Sequence, residues 1–197
     1  MRKLFYLTFA VLLSFSSIVS AQENSPSSDT SATSPKAFVQ GGLGLNMCQG
    51  DCKNIDSSYG INLSGFFNVK PNLYAGASIY YGDYGIDNGS LYTFTFAPEV
   101  SYIMTLPSNP QVSVFGLGGI GYTKGKLKID TPLGGGSSSD SAYSIFLGGG
   151  ASYNLNPLMS VGLVLKYQYN IWGDWSDNNS DFNHIFIGAV FSYVLPL

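Results

Sequence analysis

The sequence predicts an all-β fold, an eight-stranded antiparallel up-and-down transmembrane β-barrel. Three observations support this prediction. Segments of about ten residues alternate between large apolar and small or polar side chains, short and long connections alternate between them, and aromatic residues recur at the ends of the apolar face. The chain is 45% hydrophobic and only 11% charged, and no run after the N-terminal segment approaches the ~20 apolar residues of a membrane helix.

The N-terminus has the three parts of a secretory signal peptide. Arg2 and Lys3 form a positive start, residues 4–15 are apolar, and a small-residue cleavage site ends at Ala21. We therefore expect residues 1–21 to be removed on export.

Residues 22–36 are rich in Ser, Thr and Pro without an apolar pattern, so we expect a flexible N-terminal tail before a barrel domain of residues 37–197. Export would remove Arg2 and Lys3 and leave seven lysines against twelve acidic residues. This acidic balance offers no basic footprint for a nucleic-acid partner.

From Ala37 onward one theme repeats, in which side chains of two kinds alternate with the period of a two-faced strand. In the second repeat, for example, Ile61 and Leu63 alternate with Asn62 and Ser64. The same alternation predicts eight strands, at about 39–47, 59–69, 73–81, 91–104, 111–126, 142–155, 159–171 and 182–195.

The connections between these strands fall into two classes. Short proline-containing turns lie at 70–72, 107–110 and 156–157, and longer polar loops lie at 48–58, 82–90, 127–141 and 172–181. In a meander the two classes fall at opposite rims. Nine aspartates lie in or beside the long loops and predict an acidic rim: Asp51, Asp56, Asp83, Asp87, Asp130, Asp140, Asp174, Asp177 and Asp181.

The two faces of the strands indicate which side meets lipid. One face is Gly, Ser, Asn, Thr and Gln, and the apolar face repeatedly ends in aromatic residues, at Tyr92, Tyr102, Tyr122, Tyr143, Tyr153, Tyr169, Trp172 and Tyr193. Apolar-out strands with aromatic ends are typical of membrane barrels, in which closure satisfies the backbone. A secreted soluble barrel or sandwich is the alternative.

Three segments resemble the small eight-stranded outer-membrane barrels of the OmpA-like superfamily. They are Ala97-Pro98-Glu99-Val100-Ser101-Tyr102, Gly116-Leu117-Gly118-Gly119-Ile120-Gly121-Tyr122 and Gly148-Gly149-Gly150-Ala151-Ser152-Tyr153. The resemblance covers residues 37–197. It implies a monomer in the bacterial outer membrane, inserted by the barrel-assembly machinery, with outer-membrane lipid and lipopolysaccharide as partners and no cofactor.

The chain departs from this family in two ways. Relatives commonly end on an aromatic residue that the assembly machinery reads, whereas this sequence ends with Leu195-Pro196-Leu197. Some relatives also carry a C-terminal peptidoglycan-binding domain, which does not follow the last strand here. We therefore do not expect a tether to the cell wall by that route.

The inward phase of the strands predicts a filled lumen. Phe66, Tyr74, Tyr80, Phe146 and Phe186 fall on this phase, so a general diffusion pore is not expected.

Glu99 in the fourth strand and Lys166 in the seventh share the inward phase. Isolated charges are costly in such an interior, which predicts an ion pair or a water-linked polar network. A proton or ion relay is the alternative.

His184, the single histidine, falls on the inward phase at the loop-side start of the eighth strand. With Asp181 or a loop serine it offers the alternative of a lipid-modifying barrel enzyme. A satisfied polar side chain is the simpler interpretation, and we expect no catalytic residue.

Lys124, Lys126 and Lys128 share one phase and continue the outward face beyond Tyr122. They predict a contact with lipopolysaccharide phosphates, with a solvated strand extension as the alternative.

Cys48 and Cys52 open the first long loop. Outside the reducing cytosol they favour a disulfide that rigidifies the loop base, because too few ligands for a metal lie nearby. The oxygen-rich segment 174–181 lacks the spacing of a calcium loop, so no metal is expected. The sequence as a whole predicts a structural or surface-interaction role, in envelope integrity, adhesion or resistance, carried by the four long loops on the outside. A barrel enzyme centred on His184 or a narrow channel are the alternatives.

Overall fold

A computed structural model describes residues 36–49, 57–86, 89–129, 135–173 and 183–196. It confirms the predicted fold class, because eight antiparallel strands form one closed barrel in sequence order. The strands are β1 (Ala37–Gln49), β2 (Ser58–Lys70), β3 (Leu73–Ile86), β4 (Gly89–Leu106), β5 (Asn109–Ile129), β6 (Gly136–Asn156), β7 (Met159–Gly173) and β8 (Asn183–Val194).

The barrel closes where β1 pairs with β8 as well as with β2. Phe38 lies opposite Phe66 on one side and Val194 on the other, and the β1–β8 ladder continues as far as Gln49 and Asn183. Closure gives every strand two hydrogen-bonding neighbours, which is the condition for β-structure in lipid.

Alternating burial shows that the apolar face points outward. The exposed large side chains include Leu43, which is 67% exposed, together with Ile61, Leu63, Ile120 and Leu163. A water-soluble barrel would bury these residues, whereas lipid solvates them at no cost. The described residues contain no helix long and apolar enough to cross a membrane.

Two hairpins are longer than the sequence predicted. β3 continues to Ile86 and β4 begins at Gly89, while β5 runs to Ile129 and β6 begins at Gly136. The predicted loops at 82–90 and 127–141 are therefore largely strand, and Asp83 and Asp140 lie in strands. The prediction failed because a strand that leaves the membrane carries polar residues on its solvated face and resembles a loop.

Asparagine residues stabilise two of the short turns. Asn72 in the β2–β3 turn has φ of 64°, the left-handed region that asparagine tolerates better than most residues. In the β6–β7 turn the Oδ1 atom of Asn156 accepts hydrogen bonds of 2.9 Å from the amides of Leu158 and Met159. These local bonds fix the tight rim of the barrel.

Gly121 allows the interior to fill at its centre. A Cβ atom there would overlap the ring of Phe146 and lie 3.2 Å from Cγ2 of Thr95. On the outer face, a Cβ on Gly116 would have no atom within 4 Å. The same substitution should therefore be harmful at Gly121 and tolerated at Gly116.

We predict that Gly121→Leu destabilises the folded barrel by about 1–3 kcal/mol, because overpacking displaces the Phe146 ring. Gly116→Leu, which adds the same side chain on the lipid face, is the matched control and should fold like the parent. Urea titration of the refolded barrel, followed by heat-modifiable gel mobility, measures both. Equal midpoints for the two variants would contradict this account of the interior.

Candidate functional site

An ion pair crosses the lumen between β4 and β7. The Nζ atom of Lys166 lies 3.2 Å from Oε2 of Glu99, and the two side chains are 3% and 0% exposed. The period of two placed both residues on the inward face, and barrel closure brings them together across the interior. Such a pair stabilises only when hydrogen bonds satisfy the remaining polar atoms.

Neighbouring hydroxyl groups donate hydrogen bonds to the carboxylate of Glu99. Tyr80 donates a hydrogen bond to Oε1, and Ser78 donates one of 2.9 Å to Oε2. Lys166 in turn donates to the Tyr80 hydroxyl oxygen, and its Nζ lies 4.4 Å from the centroid of the Tyr80 ring. We call Glu99, Lys166, Tyr80 and Ser78 the central network; it links β3, β4 and β7 inside the barrel.

A second cluster of polar side chains lies on the loop side of the central network. Thr95 and Thr123 share a hydrogen bond of 2.7 Å, and Nε2 of Gln168 donates to Thr123 and to Asn170 over 3.0 Å each. A cavity of about 20 Å³ lies between this group and Lys166. That volume accommodates about one water molecule, far less than a permeating solute requires.

Apolar side chains fill the interior on the turn side. The rings of Phe38 and Phe66 stack at 5.0 Å, and Tyr74 meets Phe38 edge-on at 5.2 Å. A second cluster comprises Phe115, Leu117, Val164, Phe186 and Val190. The sequence-based prediction named Phe66, Tyr74 and Phe186 among the inward residues. It missed Phe38, Phe115 and the aliphatic members of the second cluster, although the same alternation places them inward.

The loop-side mouth is also filled. Tyr84 and Leu91 are buried there and pack with Cys48, Ile86 and Leu127. The lumen therefore contains apolar layers at both ends and hydrogen-bonded polar groups between them.

His184 and Cys48 lie opposite each other on β8 and β1, at this mouth. His184 is 8% exposed and faces inward, with its ring centroid 6.3 Å from that of Tyr84. Asp181 and Cys52, their predicted partners, lie outside the described residues, so the enzyme site and the disulfide stay predictions. No cluster of metal-ligating side chains occurs in the described ranges.

The lysine row, comprising Lys124, Lys126 and Lys128, lies exposed on the outer face of β5. The register places Phe94, Tyr92 and Ser90 of β4 on one side of it and Ser141, Ser139 and Ser137 of β6 on the other. Lys128 Nζ lies 5.3 Å from the Tyr92 ring centroid. Because Glu99–Lys166 is the only ion pair in the described part of the chain, no acidic side chain there forms an ion pair with the lysine row.

We predict that Glu99→Gln and Lys166→Met each destabilise the barrel by about 3–5 kcal/mol, because each leaves a buried charge without its partner. The double variant should cost less than the sum of the two, since it removes both charges. Urea unfolding of the refolded barrel measures the coupling. Strictly additive effects would show that the pair contributes no mutual stabilisation.

The barrel resembles solved outer-membrane proteins in fold. Neisserial surface protein A shares 11% identity at a TM-score of 0.64, covering 81% of this chain and 97% of that chain. Ail of Yersinia pestis shares 18% identity at 0.54, covering 81% and 99%. The N-terminal β-barrel domain of Pseudomonas aeruginosa OprF shares 11% at 0.51, covering 81% and 97%.

A search of curated protein sequences finds no match. The sequence profile described as "Outer membrane protein beta-barrel domain" matches residues 7–193, most of the chain. The closed eight-stranded architecture and the outward apolar face agree with that match. The chain therefore belongs to the outer membrane protein beta-barrel domain family.

Proposed function

We propose that this protein is a closed scaffold of the bacterial outer membrane with a structural or surface-interaction role. Export through a cleaved signal peptide of residues 1–21 and insertion by the barrel-assembly machinery deliver it there. The short turns, the start of β1 and the end of β8 face the periplasm, and the long hairpins face outward. This orientation follows from the two classes of connection, since long extracellular loops and short periplasmic turns are typical of such barrels.

The filled lumen is the observation that carries this proposal. Apolar layers on the turn side and at the mouth enclose the central network, and the cavity beside Lys166 measures only about 20 Å³. An interior packed in this way supports a rigid scaffold better than a transport route. Interaction is then carried by the surface, where the barrel holds its hairpins in fixed positions.

The lysine row is the part of that surface best suited to a partner. Its three ammonium groups lie on one outer face, beyond the apolar band, and no acidic side chain of the described residues pairs with them. Ammonium groups bind phosphates as point charges. The phosphates of lipopolysaccharide lie beside the outer wall of any barrel in this membrane, so we propose lipopolysaccharide as the ligand of the lysine row.

The two alternative functions have less support. A narrow channel requires water along the axis, and the layers above and below the central network occupy it. A lipid-modifying enzyme centred on His184 requires that residue to meet a lipid from the outer face, but the side chain faces inward and is buried. Neither alternative has a specific observation in its favour.

We predict that the refolded protein in planar bilayers gives no stepwise conductance, because the packed interior leaves no aqueous path. Single-channel recording at moderate voltage, with a large diffusion porin as positive control, tests this. Reproducible unitary currents that survive repurification would refute the closed-scaffold proposal.

We predict that changing Lys124, Lys126 and Lys128 to Gln weakens binding of lipopolysaccharide about 100-fold. Each lysine near an anionic surface contributes about 1 kcal/mol, and 1.4 kcal/mol is tenfold in affinity. Titration of the barrel in zwitterionic detergent micelles measures the Kd, which should also rise with salt. Lys36→Gln with Lys70→Gln, at the opposite rim, is the control. An unchanged Kd in the triple variant would remove the lysine row from the proposal.

A further inference from the structure

A row of side chains leads across the outer face to the lysine row. Tyr59 on β2 lies opposite Asp83 on β3, Asp83 lies opposite Tyr92 on β4, and Tyr92 lies opposite Lys126 on β5. We call these four residues the outer row. Three strand spacings of about 4.8 Å make it roughly 14 Å long, which exceeds the width of a single phosphate group.

The outer row rises away from the membrane from β2 to β5. The pairing around the whole barrel gives this direction. A line of paired residues that starts at Phe67, near the turn end of β2, passes through each strand in order and ends at Met47, near the loop end of β1. Its members are Phe67, Ala75, Val100, Gly118, Leu147, Tyr167, Ile185 and Met47. Tyr59 therefore lies nearest the lipid and Lys126 farthest out. A headgroup that projects from the membrane surface would follow the same line.

Two members of the outer row are not explained by phosphate binding. Tyr59 is 82% exposed, the highest value among the large apolar and aromatic side chains of the described residues. Asp83 is exposed, and it has no ion-pair partner in the described part of the chain. An interfacial aromatic belt accounts for tyrosines, but a carboxylate repels anionic headgroups.

A sugar ring is a ligand that both Tyr59 and Asp83 can bind. An exposed aromatic ring presents an apolar face to the C–H groups of a sugar, and a carboxylate accepts hydrogen bonds from hydroxyl groups. An ammonium group beside them binds a phosphate on the same sugar. A phosphorylated sugar is thus a ligand that suits aromatic, acidic and basic members of one row together.

We propose that the outer row binds the phosphorylated sugars of one lipopolysaccharide headgroup, with Tyr59 stacked on a sugar ring, Asp83 accepting from sugar hydroxyls and Lys126 on a phosphate. This inference rests on the proposed function, because it places the sugars beside phosphates held by the lysine row. It adds that recognition includes the sugar as well as the charge.

The Asp83→Asn variant tests the proposal, because a sugar contact and simple charge repulsion predict opposite changes in the affinity for lipopolysaccharide. If Asp83 accepts from sugar hydroxyls, the variant should weaken binding of lipopolysaccharide that carries core sugars by about tenfold. Binding of phosphatidylglycerol, which has the phosphate without those sugars, should stay equal or tighten, since a repelling charge is removed. Both Kd values are measured in zwitterionic detergent micelles. Tighter binding of both lipids would overturn the proposal.

A second variant and matched controls guard against general effects. Tyr59→Ala should also weaken the binding of lipopolysaccharide and leave the binding of phosphatidylglycerol unchanged. Asp140→Asn makes the same charge change beside Gly125, on the other face of the extended hairpin, and Tyr153→Ala removes an exposed tyrosine on the turn side. Neither control should change either Kd. Equal losses in a control and in its matched variant would show a general effect and contradict the proposal.

The outcomes separate this inference from the proposed function. If the triple lysine variant loses affinity for lipopolysaccharide while Asp83→Asn and Tyr59→Ala do not, the proposed sugar contact is wrong and the proposed phosphate contact stands. If the lysine variant also keeps its affinity, both are wrong.

Discussion

The closed ladder of backbone hydrogen bonds is the constraint on which the rest of this structure depends. A sheet in lipid has no water to satisfy its edges, so β1 must pair with β8 as completely as with β2. Closure lets the outer face carry side chains such as Leu43 and Leu163 that a soluble protein would bury. The apolar exterior is thus a consequence of closure.

Closure also creates an interior of fixed width, which this chain fills by layers. Rings and aliphatic side chains occupy the turn side and the mouth, and the central network lies between them. Lys166 and Glu99 tolerate burial because Tyr80 and Ser78 supply the remaining hydrogen bonds. The polar centre thereby connects strands that are not neighbours in the ladder and makes the barrel a rigid support.

A rigid, filled barrel leaves the outer surface as the place for interaction. β5 and β6 extend beyond the apolar band and hold Lys124, Lys126 and Lys128 on one face at fixed spacing. Fixed spacing matters because ligands pay less entropy on a preformed surface than on a mobile loop. The same tilt that closes the barrel makes the outer row rise from Tyr59 towards the lysine row, so the architecture itself orients the proposed lipid headgroup.

Local alternation in the sequence determined the number of strands, the outward apolar face and the inward phase of Glu99, Lys166 and Phe146, because the period of two depends only on neighbouring residues. It did not determine where β3, β5 and β6 end, since a solvated strand and a loop have similar composition. Only the tertiary structure decided that Glu99 meets Lys166 across the lumen and that Asp83 lies between Tyr59 and Tyr92. Those contacts depend on register and closure, which bring together residues far apart in the chain.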